Sequence, residues 1–148
     1  SVHNAFAGYW SIATGSHAAS TSISAHDASF AAGLLEAASQ VEVDDHPVLL
    51  IACDTMSPAA LHPFCPLVAP FAVALLLVPD STKWAIRIKI KEINTFSQME
   101  IPGLELLRKG NPAARSLPLL AQLALAKPGQ VNIPYLAGLG ICMEVVRC

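Results

Sequence analysis

The stretch STSISAHDASFAAGLLEA, Ser20–Ala37, changes character at one point, and that point decides how the chain folds. Up to Ala25 the side chains are small or β-branched, with Thr21 and Ile23 on one face, so a short strand is expected over Ala18–Ala25. Beyond it, Phe30, Leu34, Leu35 and Ala38 fall at helical spacing, while Ala31, Gly33 and Ala37 leave room for a close neighbour. A helix is therefore expected over Ala28–Gln40, with Asp27 as its N-cap. A strand that turns directly into a helix sets the side chain at the turn, His26, on the helix N-terminus. A cysteine there would be a reactive nucleophile, because the helix dipole and free N–H groups favour a thiolate. A histidine there has its cation disfavoured by the same dipole, and a neutral, hydrogen-bonding ring is expected. The plainer alternative is a satisfied histidine at a turn.

Working outward, Phe6, Tyr9, Trp10 and Ala13 predict a first helix over Ser1–Ala13, stopped by Gly15. After the acidic turn Glu42, Asp44, Asp45, the unbroken apolar runs Pro47–Cys53 and Phe71–Val78 predict strands buried on both faces. A Pro-rich loop over Ser57–Pro66 separates them, and Pro79-Asp80-Ser81 ends the second. From Lys83 to Lys91 the pattern alternates: Trp84, Ile86, Ile88 and Ile90 on one face, Lys83, Ala85, Arg87, Lys89 and Lys91 on the other, a half-buried strand. Further on, Ile101–Lys109 is amphipathic, Leu117–Lys127 reads as a helix and Gly140–Arg147 as a terminal strand, with Pro112, Pro118, Pro128 and Pro134 breaking the pattern. Neither a repeat nor a low-complexity linker divides residues 1–148, so one layered α/β domain is expected.

The 148 residues are 53% hydrophobic and 14% charged, with mean hydropathy +0.50, more apolar than an ordinary soluble domain. Part of the surface is expected to meet a partner. The longest apolar stretch, Pro66–Pro79, is too short for a membrane span and is interrupted by Pro70. Net charge is −2 with nine Lys and Arg, which argues against nucleic-acid binding despite the local group Lys83, Arg87, Lys89 and Lys91. Cys53, Cys65, Cys142 and Cys148 lack C-x-x-C spacing and read as reduced thiols of a cytoplasmic protein. His3, His17, His26, His46 and His62 have no i, i+4 pair and no cysteine at ligand spacing, so no metal is expected. The nucleophile elbow, the P-loop and the dinucleotide fingerprint are all missing, and no cofactor is implied.

Over Ser1–Gly15 and Ser20–Ala37, continued by Pro47–Asp54 and Pro70–Pro79, the chain resembles the β-ketoacyl-synthase-like N-terminal domain of bacterial polyene and polyketide gene clusters. The resemblance is strongest over 1–79. It implies a thiolase-like layered α/β fold, here the N-terminal half, with two further strands before Ser1, so that the domain is incomplete at its start. In active members of the wider family the strand-to-helix junction reads Thr-Ala-Cys, and that cysteine takes the acyl group from an acyl carrier protein. The matching residues here are Ser24, Ala25 and His26. The nucleophile is thus replaced, and nothing after Asn94 resembles the two histidines that assist it, so no catalytic residue is assigned.

The pattern is similar to that of chain-length factors, ketosynthase-like subunits that lack the cysteine and pair with an active β-ketoacyl synthase. By that resemblance the expected function is a noncatalytic subunit of fatty-acid or polyketide (aryl-polyene-type) chain elongation on acyl carrier protein. The implied interface is the edge strand, with Ser20, Thr21, Ser22, Ile23 and Ser24 as candidates. The alternative is an active condensing or acyl-transfer enzyme that uses Cys53 or Cys65, or a decarboxylation aided by His26.

Overall fold

The computed structural model describes residues 2–64, 66–80 and 84–148. Expectations that rest on Ser1, Cys65, Ser81 and Lys83 lie outside the described residues. A 3-10 turn, Val2–Asn4, leads into α1, Ala5–Thr14. As expected, Gly15 ends that helix at φ 64, its N–H donating to the Ser11 carbonyl. A left-handed cap of this kind suits glycine because it carries no Cβ to collide with the last turn. Residues 18–25 form no strand, contrary to the alternation of Thr21 and Ile23. A strand exists only through a neighbour's hydrogen bonds, and no segment among the described residues pairs with this one.

The 3-10 turn His26–Ala28 opens α2, Ser29–Asp44, which runs past Gln40 through the acidic residues to a left-handed cap at Asp45. Helix α2 is followed by β1, Val48–Asp54, and β2, Phe71–Leu77. They pair antiparallel, with Ile51 opposite Ala74 at the centre of the register. The expectation that both faces of these strands are buried is corrected: Leu50, Ala52, Val73 and Leu75 pack inward, whereas Leu49, Ile51 and Leu76 are exposed. The side-chain period of two gives each strand two faces, and α2 covers only one.

The second sheet has the order β3-β5-β4, all antiparallel. Strand β3 is Trp84–Glu92, β4 is Gly129–Leu136 and β5 is Leu139–Arg147. On β3 the expected alternation holds over Trp84–Lys89, where Ile86 and Ile88 join the core while Arg87 and Lys89 face water, but it fails at Ile90, which is 52% exposed because the end of the strand runs past the core. Across the outer face Lys89 meets Glu144 at 3.1 Å, and the Lys89 ammonium holds that carboxyl below its usual range. Strand β4 begins directly after Pro128 and contains Pro134, two of the four prolines that read as breaks in the sequence. Proline is tolerated on an edge strand, and β4 is one, with an irregular register between Pro134 and Leu136. Between β3 and β4 lie α3, Pro102–Lys109, a 3-10 helix, Ala113–Ser116, and α4, Leu117–Ala124. Glu105 clamps the start of α3: it accepts from Arg108 at 2.6 and 2.7 Å and from the Met99 N–H at 2.9 Å. Those donors, Arg108 first, hold its carboxyl down to about 2.

The core forms where α2 meets both sheets. Phe30, Ala31 and Leu34 pack with Leu119 of α4, Val131 and Ile133 of β4, and Ile141, Met143 and Val145 of β5, all almost wholly buried. Gly33 allows the other approach, since a Cβ there would stand 3.2 Å from Leu50 Cδ1 of β1. Gly140 on β5 is tighter still. A Cβ at Gly140 would lie 2.9 Å from the Ile133 carbonyl oxygen, from Ile93 Cδ1 and from Phe96 Cε1. A backbone atom cannot step aside as a flexible side chain can. We therefore expect Gly140→Ala to lower stability by about 1–3 kcal/mol, the usual cost of overpacking, measured as a lower urea midpoint with an unchanged slope.

Candidate functional site at the His26 junction

Three observations define the junction. The first is backbone strain: His26 sits at φ 54, one of three non-glycine residues with positive φ among those described. A side chain in that region costs about 1–3 kcal/mol and persists only where its surroundings impose it. The second is the hydrogen bonding that imposes it. Ser29 Oγ accepts from the Ala25 N–H at 3.0 Å and donates to the His26 carbonyl at 2.6 Å, while the Ala28 N–H donates to the Ala25 carbonyl at 2.9 Å. The serine hydroxyl thus ties both sides of the turn. The third is direction: the turn opens into the N-terminus of a 16-residue helix, whose first N–H groups give a positive end.

Asp27 is not the cap of α2 that the sequence predicts; Ala28 occupies the N-cap and makes no side-chain bond. Because the helix begins with a 3-10 turn, the cap position shifts by one residue and Ser29 does the tying instead. The sequence signal for Ser29 is a hydroxyl three residues after the histidine, within reach of the turn's own backbone.

The candidate interface residues lie in an irregular segment that is mostly exposed. His3 Nε2 donates to the Ser22 carbonyl at 3.1 Å, and Ser22 Oγ donates to Asn4 Oδ1 at 2.7 Å. Gln40 Nε2 donates to Thr21 Oγ1 at 3.4 Å. Ser22 is therefore turned toward the 3-10 turn Val2–Asn4 and Thr21 toward Gln40, and Ser20, Thr21, Ile23 and Ser24 are exposed. Beside them, α1 has no buried residue: Phe6, Tyr9 and Ile12 are 67%, 73% and 79% exposed. An apolar helix left this uncovered is unusual on a protein surface.

The other candidate nucleophiles are placed differently. Cys53 is partly buried on β1, and burial, then the neighbouring Asp54 carboxylate, pushes its thiol up from the ordinary value. Cys142 is fully buried on β5 and Cys148 is exposed. Neither burial nor an adjacent carboxylate favours the thiolate that a nucleophile needs. No group of three His, Cys, Asp or Glu that could hold a metal ion gathers among the described residues. No helix among them is long and apolar enough to cross a membrane.

A helix laid between two sheets is in keeping with the layered, thiolase-like α/β fold expected from the sequence. Residues 1–128 match the family model for the β-ketoacyl synthase N-terminal domain, and the chain belongs to that family. The fold is also that of a solved structure, the ketosynthase ApeO in complex with its chain length factor ApeC from Xenorhabdus doucetiae, with a TM-score of 0.68 and 24% identity. The alignment covers 97% of this chain and 54% of that one, so this chain spans about half its length. No curated protein matches the sequence.

Cysteine reactivity tests the placement of Cys53. At pH 8 iodoacetamide should label Cys148 about tenfold faster than Cys53, with the Cys53 rate still climbing through pH 9, read by peptide mass spectrometry. Equal labelling at pH 7 would mark Cys53 as an activated thiol.

Proposed function

We infer that this protein is a noncatalytic, chain-length-factor-like subunit that pairs with an active β-ketoacyl synthase in the cytoplasm. The pair would extend fatty-acid or polyketide chains, of the aryl-polyene type, on an acyl carrier protein. The observation that carries this reading is the junction itself: His26 sits in a left-handed turn that opens into a helix N-terminus, and the resemblance of Ser24-Ala25-His26 to the family's Thr-Ala-Cys supports reading it as the place of the acylated cysteine. An imidazole at that place hydrogen-bonds but does not form the thioester on which condensation depends.

Two further observations support a partner. The uncovered α1 offers Phe6, Tyr9 and Ile12 to a second surface, and the segment 20–24, tied to the turn that precedes α1, is largely exposed. A segment of strand-like composition that has no neighbouring strand among the described residues is one that a second chain can complete by strand addition. The solved structure of the same fold is itself a ketosynthase in complex with its chain length factor, an assembly of this kind. Acyl transfer through Cys53 is the weaker reading, because its thiol is pushed away from the reactive form.

Co-expression with a ketosynthase that carries an intact Thr-Ala-Cys junction should give a complex of one copy of each chain by size-exclusion chromatography with light scattering. Two separate monomers at micromolar concentration would overturn the assignment. Ile23→Glu puts a charge on the open face of the segment and should weaken the complex at least about tenfold, roughly 1.4 kcal/mol, with the thermal midpoint of the isolated subunit unchanged.

A further inference from the structure

The residue that follows His26 has a partner from a distant part of the chain. Asp27 Oδ2 lies 3.6 Å from Nη2 of Arg115, and the two side chains differ in setting: Asp27 is 75% exposed and Arg115 only 19%. Arg115 projects from the 3-10 helix Ala113–Ser116, whose other residues are buried. That helix is pinned on several sides. The Ala113 N–H donates to Asp54 Oδ2 at 2.7 Å, the Ala114 N–H donates to Asn111 Oδ1 at 3.1 Å, and Ser116 Oγ donates to the Ala113 carbonyl at 2.7 Å. Asn111 is itself fully buried and donates to the Ala69 carbonyl at 2.9 Å. The base from which Arg115 extends is rigid.

Arg115 is also costly where it stands. It is the charged residue of the apolar run Pro112–Ala121, and its Nε is buried with no hydrogen-bond partner among the described residues. A leucine would fill the same space without stranding a donor or covering a charge. What a leucine could not do is reach the Asp27 carboxylate. The turn His26–Ala28 lies against β4 on one side, and Asp27 gives the rigid 3-10 helix a hold on the other.

We propose that Arg115 is a positioning residue for the His26 junction: its guanidinium, carried on a pinned 3-10 helix, holds Asp27 and so keeps His26 in its left-handed conformation. This hold on the turn operates whether or not the chain pairs with a ketosynthase.

Amide hydrogen exchange by NMR on the intact protein decides it, with Ala28 and Ser29 as local reporters and Ile141 and Met143 of the central strand as reporters of global opening. Arg115→Met and Asp27→Asn should each speed exchange at Ala28 and Ser29 by about threefold, the scale of a partly covered ion pair. Rates at Ile141 and Met143 should not change, Arg115→Lys should restore most of the protection, and the double variant should be no faster than either single one. Equal acceleration at all four amides would mean a merely structural role and would overturn the proposal. So would unchanged rates at Ala28 and Ser29 in Asp27→Asn, which alters an exposed side chain and decides the matter even if Arg115→Met does not fold.

Discussion

The structure depends on one helix being buried on two sides. Helix α2 presents Phe30 and Leu34 to β4 and β5, and its small residue Gly33 lets β1 approach closely from another direction. Each fully buried side chain of this size contributes about 1.5–3 kcal/mol relative to exposure, so the α2 interfaces dominate what holds the two sheets to one another. Strand β5 takes the complementary place: central in its sheet, it supplies Ile141, Met143 and Val145 to the same cluster. Gly140 next to them carries no side chain because the Ile133 backbone, Ile93 and Phe96 already occupy the space.

A helix fixed along its length also fixes its first turn, and this links packing to the candidate site. Because Phe30 and Ala31 are locked in the core, the chain that enters α2 has little latitude, and His26 absorbs the change of direction at φ 54. Ser29 and Asp27 distribute the hold on that turn, one to the local backbone and one to Arg115. Under the proposed reading, His26 stands where an active β-ketoacyl synthase would carry its cysteine, and a turn built like a nucleophile's seat but without a thiol favours a role beside an active subunit over a replacement nucleophile.

Much of this was legible from residue patterns. Helical spacing found α1 and α2, and the lysine alternation found β3, since both signals are local periodicities; that α1 would leave its apolar residues uncovered was not legible from the same spacing. The family followed from Ser1–Gly15 and Ser20–Ala37, with His26 marked by its place between the two patterns. The misses have physical causes. The segment 18–25 has strand-like composition, but a strand needs a neighbour, and none pairs with it among the described residues. The runs in β1 and β2 are apolar throughout, so sequence could not show that one face stays open. Strand β4 hid behind Pro134, which an edge position tolerates. Arg115 was invisible as a site residue because its partner, Asp27, is distant in sequence; the signal was a lone charge in an apolar run, which implies a counter-charge without naming it.

The most direct measurement of the central claim is intact mass of both subunits after the copurified pair is incubated with acyl-loaded carrier protein. A noncatalytic role predicts an acyl adduct on the cysteine of the ketosynthase partner and an unmodified mass for this chain. An acyl adduct on this chain, lost when Cys53 or Cys65 is replaced by alanine, would contradict it.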